Sequence, residues 1–174
     1  YWDLDGSNNL VQKSTATDPL IFSLAGAGTV GDPYLIANYT DLRQASLKLN
    51  KAYKLTGDID MSGQNFYMLG SYINRFTGNF NGNIKTISNL SINAPSANYV
   101  GFTGFIAGGS VAALNLNSIS LNSGSYTGGV AGYLENGNIT ESYVTGSITG
   151  GSRLGGIVGS IYSDGVHYMT SLRS

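Results

Sequence analysis

The chain repeats itself with a period of about 27 residues, and every residue inside the period takes its meaning from its place in it. Gly101-Phe102-Thr103-Gly104, Gly129-Val130-Ala131-Gly132 and Gly156-Ile157-Val158-Gly159 share one Gly-apolar-x-Gly form, and their closing glycines, Gly104, Gly132 and Gly159, stand 28 and 27 residues apart. A second series keeps step at another phase. Gly82, Gly109, Gly137 and Gly165 recur at 27, 28 and 28, while Ile84, Val111, Ile139 and Val166 recur at 27, 28 and 27. Such a period is too short for a propeller blade and lacks the helical halves of ankyrin or tetratricopeptide repeats. Within it, Leu114-Asn115-Leu116 and Ile119-Ser120-Leu121 alternate apolar with polar, the period-two signature of a half-buried strand.

The expected fold is therefore all-β: a right-handed parallel β-helix, or β-solenoid, of coils of about 27 residues. Glycines are expected to turn its corners, where the absent Cβ permits positive φ. Stacking should place Ile84, Val111, Ile139 and Val166 above one another inside, each contributing roughly 1.5–3 kcal/mol by burial.

Residues 26–174 are expected to form this solenoid, and residues 1–25, which carry no repeat, an extended N-terminal arm. Thr40-Asp41-Leu42-Arg43-Gln44-Ala45-Ser46-Leu47-Lys48-Leu49 has a hydroxyl at the N-cap position and apolar Leu42, Ala45 and Leu49 at helical spacing. A short helix at about 40–49 would cover the exposed backbone at the start of the stack.

Composition narrows the chemistry. The 174 residues contain no Cys, which removes disulfides, thiolate metal sites and cysteine nucleophiles together. Nine basic and ten acidic residues give a net charge of −1, too little field to gather nucleic acid. No apolar run is long enough to cross a bilayer, so membrane insertion is not expected. A chain opening at Tyr1 without a leader reads as an excised module. Charged residues are only 11%, while 17 Asn, 21 Ser and 13 Thr supply the polar surface. Tyr, at 12, outnumbers Phe and Trp together. This is the composition of an extracellular or bacterial cell-surface protein.

The segments Gly28-Thr29-Val30-Gly31-Asp32-Pro33-Tyr34-Leu35-Ile36, Tyr53-Lys54-Leu55-Thr56-Gly57-Asp58-Ile59-Asp60-Met61, Phe76-Thr77-Gly78-Asn79-Phe80-Asn81-Gly82 and Ile87-Ser88-Asn89-Leu90, with the Gly-x-x-Gly series, resemble the GLUG repeat family of bacterial surface proteins over about residues 26–172. The family includes large adhesins, and the resemblance implies a right-handed parallel β-helix. Phe102-Thr103 in the first Gly-x-x-Gly and Ser160 after the third depart from the pattern. Separately, Tyr1-Trp2-Asp3-Leu4-Asp5-Gly6-Ser7-Asn8 is similar to the punctuation that precedes modules in trimeric bacterial and phage fibre proteins. That likeness implies a homotrimer assembled through residues 1–25.

No catalytic or cofactor site is expected. Asp58 and Asp60 share a strand face but sit in the structural lead-in, and no acid lies between Met61 and Leu134. Glycoside chemistry needs two facing carboxylates, so a polysaccharide lyase or hydrolase is the least favoured reading. His167 stands without a cluster, and no metal site is assigned. Asp3, Asp5 and Asn9 have spacing suited to calcium, but Val11, Gln12 and Lys13 follow where further acids are needed. That question stays open, with a polar turn as the plain alternative.

The remaining expectation is recognition. Tyr72, Tyr99, Tyr126, Tyr133, Tyr143 and Tyr162 fall near corners or strand ends, where rings can stack on sugars and neighbouring amides can bond to hydroxyls. Aromatic residues also stack along solenoids simply to shield a core. The sequence thus favours a non-enzymatic adhesion module, a fibre tip or surface adhesin taking a glycan or a bacterial or host surface ligand. A passive spacer is the alternative.

Overall fold

In the computed structural model, residues 2–4 and 10–12, for which the backbone is described, are followed by residues 21–66 and 68–164 in full. Three parallel stacks of strands run through the chain. The first holds Tyr34–Ile36, Ala52–Leu55, Asn79–Asn81, Ser110–Ala112 and Asn138–Thr140 in chain order. The second holds Ile59–Asp60, Thr86–Ser88, Asn115–Ser123 and Tyr143–Thr149, with Ser91–Ala94 also pairing with Asn115–Ser123. Thr103–Ala107, Ala131–Glu135 and Val158–Tyr162 form the third. Strands inside each stack thus pair with their counterparts one coil before and one coil after, and the architecture is an all-β solenoid.

Alternation drives the packing. Inward positions line up into apolar columns: Ile59, Ile87, Leu116 and Val144 in one, Phe105's neighbours Ile106 and Leu134 in another, all buried. Outward positions between them carry hydroxyls and amides. An aromatic column starts the first stack, with the Tyr34 and Tyr53 rings 5.8 Å apart and Tyr53 and Phe80 6.4 Å apart. The Tyr53 hydroxyl donates to the Lys48 carbonyl at 2.7 Å, and burial, with Tyr34 beside it, pushes its pKa upward.

Two columns differ from expectation. Val111 does pair with Ile139, but its partner in the preceding coil is Phe80, not Ile84. Ile84 is 78% exposed. The reason is an insertion: Asn81 and Thr86 enclose four residues where Ala112 and Asn115 enclose two, and the extra length bulges Ile84 into solvent. Likewise Gly109 and Gly137 are preceded in their column by Gly78, one residue before Asn79, and Gly82 stands outside it. Val166 and Gly165 lie outside the described residues.

The glycines do not turn the corners as expected. Gly104, Gly109, Gly132, Gly137 and Gly159 are absent from the positive-φ positions, which include Ile84 (59°), Ala113 (51°) and Glu141 (48°) in one column and Asn89 (58°) and Ser118 (54°) in another. Glycine is needed instead because backbone approaches backbone. A Cβ on Gly132 would sit 2.5 Å from both Tyr99 C and Val100 N, and one on Gly137 would sit 2.6 Å from the Gly109 carbonyl oxygen. The recurring Gly-x-x-Gly form therefore marks where the backbones of successive coils come closest.

The helix is shorter than expected: α1 spans Tyr39–Gln44, followed by a 3-10 turn at Ala45–Leu47. Its N-cap is Asn38 rather than Thr40, with Asn38 Oδ1 accepting from the Asp41 amide at 3.0 Å. The amide is the better cap here because Asn38 holds an extended φ of −154° while Thr40 is already helical. Leu42 and Ala45 are buried against the first coil, and Gln44 Oε1 accepts from the Ser23 amide at 2.7 Å, tying residues 21–25 over the same end. Ahead of this, Trp2–Leu4 and Leu10–Gln12 pair antiparallel.

Candidate functional site

Two surfaces of the solenoid carry organised polar chemistry. One is the outer face of the second stack. Register places Ser88, Asn117 and Thr145 in one column, Ser91, Ser120 and Ser147 in the next, and Asn93, Asn122 and Thr149 in a third. Parallel pairing sets the rows about 4.8 Å apart. All nine side chains are hydroxyls or amides, and all are exposed or half-buried. Several bond to one another across coils: Asn122 Nδ2 donates to Asn93 Oδ1 at 2.9 Å, Thr149 Oγ1 to Asn122 Oδ1 at 3.2 Å, and Thr145 Oγ1 to Asn117 Oδ1 at 2.6 Å. These bonds fix the amide orientations and leave the outward lone pairs and second amide hydrogens facing solvent. Tyr143, in register with Asn115 and 45% exposed, stands at the edge of this array.

The second surface is a ladder of tyrosines. Tyr72, Tyr99 and Tyr126 repeat every 27 residues and stack face to face, with centroids 5.1 and 4.7 Å apart. Arg153 occupies the next rung: its guanidinium lies 4.6 Å over the Tyr126 ring and donates to the Tyr126 hydroxyl. Phe105 and Tyr133 form a shorter stack alongside at 4.7 Å, joined edge-on through Tyr99–Tyr133 at 5.9 Å. Arg75 covers Phe105 at 4.4 Å and pairs with Glu135 at 2.5 Å. Tyr99, Tyr126 and Arg153 all hold positive φ, of 59°, 61° and 58°. That conformation costs a non-glycine residue roughly 1–2 kcal/mol, yet here it aims each side chain onto the ring of the preceding coil. Burial, followed by the neighbouring Tyr126, Tyr72 and Tyr133, raises the Tyr99 pKa against an opposing pull from Arg153.

The six tyrosines singled out by sequence therefore divide. Tyr72, Tyr99, Tyr126 and Tyr133 are brought together, but their ring faces are occupied by one another and by Arg153, leaving mainly edges and hydroxyls outward. Tyr143 belongs to the polar array. Tyr162 is 51% exposed in the last coil, paired in register with Glu135. The sequence points to a polar face of Tyr, Asn, Ser and Thr but assigns only its tyrosines; the signal for the rest is in Ser91-x-Asn93, Ser120-x-Asn122 and Ser147-x-Thr149, which no tyrosine marks.

The two lead-in acids are structural. Asp58 Oδ1 accepts from the Thr86 amide at 2.8 Å. Asp60 Oδ1 accepts from the Ser62 amide, the Ser62 hydroxyl and Asn89 Nδ2, at 3.0, 2.8 and 2.8 Å. The Asn89 bond first and the Ser62 bonds next hold its carboxyl below the ordinary value of 3.8. Among the described residues no three His, Cys, Asp or Glu side chains gather as a metal ion would require, and no helix is long and apolar enough to cross a membrane. Asp3 lies on the first strand opposite Val11, while Asp5, Asn9 and His167 lie outside the described residues.

Comparison with known proteins agrees with this picture. Residues 123–149 match the GLUG motif. The matched segment runs from the end of strand Asn115–Ser123 through the Gly129–Gly132 segment to the end of Tyr143–Thr149, one full coil. Over 95 residues, 54% of this chain, it is 38% identical to halomucin of Haloquadratum walsbyi (strain DSM 16790 / HBSQ001), of which it spans 1%. A crystal structure of a protein provisionally named as an immunoglobulin A1 protease, from Bacteroides ovatus, superposes with a TM-score of 0.50 at 18% identity. That match covers 79% of this chain and 64% of the other, and it is a likeness of fold. Register and these likenesses together show a β-solenoid fold with a GLUG motif at residues 123–149.

Proposed function

We propose that this β-solenoid is a non-enzymatic recognition module of an extracellular or cell-surface protein, and that it adheres to neutral glycans of a cell envelope or host surface. The observation that carries this reading is the array of Ser88, Ser91, Asn93, Asn117, Ser120, Asn122, Thr145, Ser147 and Thr149. It offers donors and acceptors in fixed orientation and, from the second coil onward, no formal charge. A polyhydroxylated neutral chain matches such a surface, because each sugar hydroxyl both donates and accepts, and a charged polymer would gain nothing from it. Tyr143 supplies an aromatic flank at its margin. One central-coil cation, Arg75, is engaged by Glu135 and Phe105, which supports a non-enzymatic reading.

A glycan array probed with the whole chain tests this. Saturable binding to neutral glycans is expected, lost in Asn122→Lys/Ser147→Lys and weakened in Tyr143→Ala, with the fold intact by circular dichroism. Tyr99→Ala should lower stability while leaving affinity of the folded fraction unchanged.

The second reading, a passive spacer, is favoured by the same inter-coil bonds, since Asn93, Asn122 and Thr149 already satisfy part of one another's capacity. A spacer binds no glycan, and the lysine variants then differ from the parent in nothing but charge. Trimer formation through residues 1–25 belongs to the fibre-tip form of the proposal, and light scattering of the chain decides it.

A further inference from the structure

The aromatic columns beside the third stack do not end alike. In the first, Tyr72, Tyr99 and Tyr126 are followed by Arg153, whose guanidinium takes the next rung. In the second, Phe105 and Tyr133 stack at 4.7 Å, and the position that follows in register is Ser160. Ser160 is the residue that departs from the pattern after the third Gly-x-x-Gly, and its side chain is too short to lie across a ring. The Arg75 guanidinium covers Phe105 at the far end of this stack, 4.4 Å from the ring centre. At the near end, among the described residues, no ring or cation lies on the face of Tyr133 turned away from Phe105. One ring face of the ladder is therefore open, at a step about one ring spacing deep.

The step has walls. Ser160 follows Tyr133 as Arg153 follows Tyr126, the Tyr126 and Thr127 amides donating to the Ser152 and Arg153 carbonyls, both at 3.0 Å, so the guanidinium borders the step on one side. One of its N–H groups donates to the Tyr126 hydroxyl, and none meets a carboxylate among the described residues. On the other side stands Tyr162, 51% exposed and two residues beyond Ser160, hence on the same face of the strand. Glu135, in register with Tyr162, would repel an anion, but Arg75 neutralises it at 2.5 Å.

We infer that the step at Ser160 is a binding site for a carboxylate-bearing sugar, a uronic or sialic acid at the end of a glycan. Its C–H face lies on Tyr133 where the next ring of the column would be, and its carboxylate takes the free N–H fork of Arg153. The Ser160, Tyr133 and Tyr162 hydroxyls offer donors and acceptors to the ring hydroxyls. A terminal sugar fits better than an internal one, because the step is one ring deep and Arg153 and Tyr162 close it on two sides. A bare aryl acid matches the ring face and the cation but leaves those hydroxyls without partners. The site lies beside the third stack, apart from the polar array of the second, and does not depend on neutral glycans binding there.

Calorimetric titration of the full chain tests this with trisaccharides ending in glucuronic acid or in N-acetylneuraminic acid, with the methyl ester of each, and with benzoate. Saturable binding is expected for at least one of the two acids, which also tells the uronic from the sialic source. Affinity should fall tenfold or more on esterification and in Arg153→Gln, and Arg153→Lys, which keeps the charge but not the fork, should restore only part of it. Ser160→Tyr supplies the missing ring: binding should vanish while the melting temperature holds or rises, so that loss of ligand is separated from loss of fold. Tyr143→Ala, which weakens neutral-glycan binding at the second stack, should leave binding of the acid unchanged, so the two sites stand or fall separately. Equal affinity for acid and ester, unchanged affinity in Ser160→Tyr, or benzoate bound as tightly as either sugar acid would each overturn the assignment.

Discussion

At Gly132 a single β-carbon would have to occupy space already taken by the main chain of Tyr99 and Val100, both 2.5 Å from where it would lie. Those atoms belong to backbone and cannot swing aside, so Gly132→Ala acts as overpacking, with a cost of about 1–3 kcal/mol or more. The expected loss of midpoint in urea should be larger than for Gly31→Ala, where the added carbon meets nothing within 4 Å. Equal effects would show that the close approach is soft. Asp60 is a residue-scale device of another kind. Hydrogen bonds from Asn89 and Ser62 hold its folded-state pKa below the ordinary 3.8. Its contribution is therefore present above that value and is lost as pH falls through the lower, folded-state value. Asp60→Asn, measured by denaturant melts from pH 5 to pH 2, should flatten the acid-side decline relative to the parent. A decline of the same size in both proteins would remove the hydrogen-bonded carboxylate from the account.

Among elements, the tyrosine ladder is held by ring contacts that cross coils. Tyr99 and Tyr126 stack at 4.7 Å, and a double-mutant cycle with Tyr99→Phe or Ala and Tyr126→Ala should report a coupling of about 0.5–1.5 kcal/mol. Coupling near zero would mean that the rings merely cover surface. Much of this organisation was legible in the chain itself. Period, strand alternation and the Val111–Ile139 pairing follow from spacing alone, because a parallel stack repeats its contacts at the repeat interval. What spacing could not show is equally physical. Ile84 holds the right interval from Val111 but sits beyond an inserted turn, so Phe80, 31 residues from Val111, takes the column. A period measures sequence, whereas register is set by hydrogen bonds, and an insertion separates the two. The corner glycines were misread for a related reason: glycine is needed both for positive φ and for close approach, and a sequence does not distinguish them. At Tyr99, Tyr126 and Arg153 the left-handed backbone was invisible in the chain because the ring and guanidinium stacks that offset its cost form only between coils.

For the molecule as a whole, contacts made only between neighbouring coils mean that stability is passed along the axis rather than shared through one centre. A coil flanked on both sides buries its column completely, as Leu55, Ile87 and Leu116 show at 0% exposure. The last described coil does so less well, with Val144 at 5% and Ile161 at 49%. Local opening should accordingly be graded. Native-state amide exchange is expected to be slowest in Ala52–Leu55, Asn79–Asn81 and Ser110–Ala112 and fastest in Val158–Tyr162. Leu42→Ala, which removes a buried side chain from α1, should cost about 2–5 kcal/mol at the first end and accelerate exchange in Tyr34–Ile36 before it reaches Ser110–Ala112. Nearest-neighbour coupling forces that order, because a defect at one end alters a distant coil only by unfolding those between. Uniform acceleration along all three stacks would show instead that the solenoid opens as a single cooperative unit, with the coils behaving as one core.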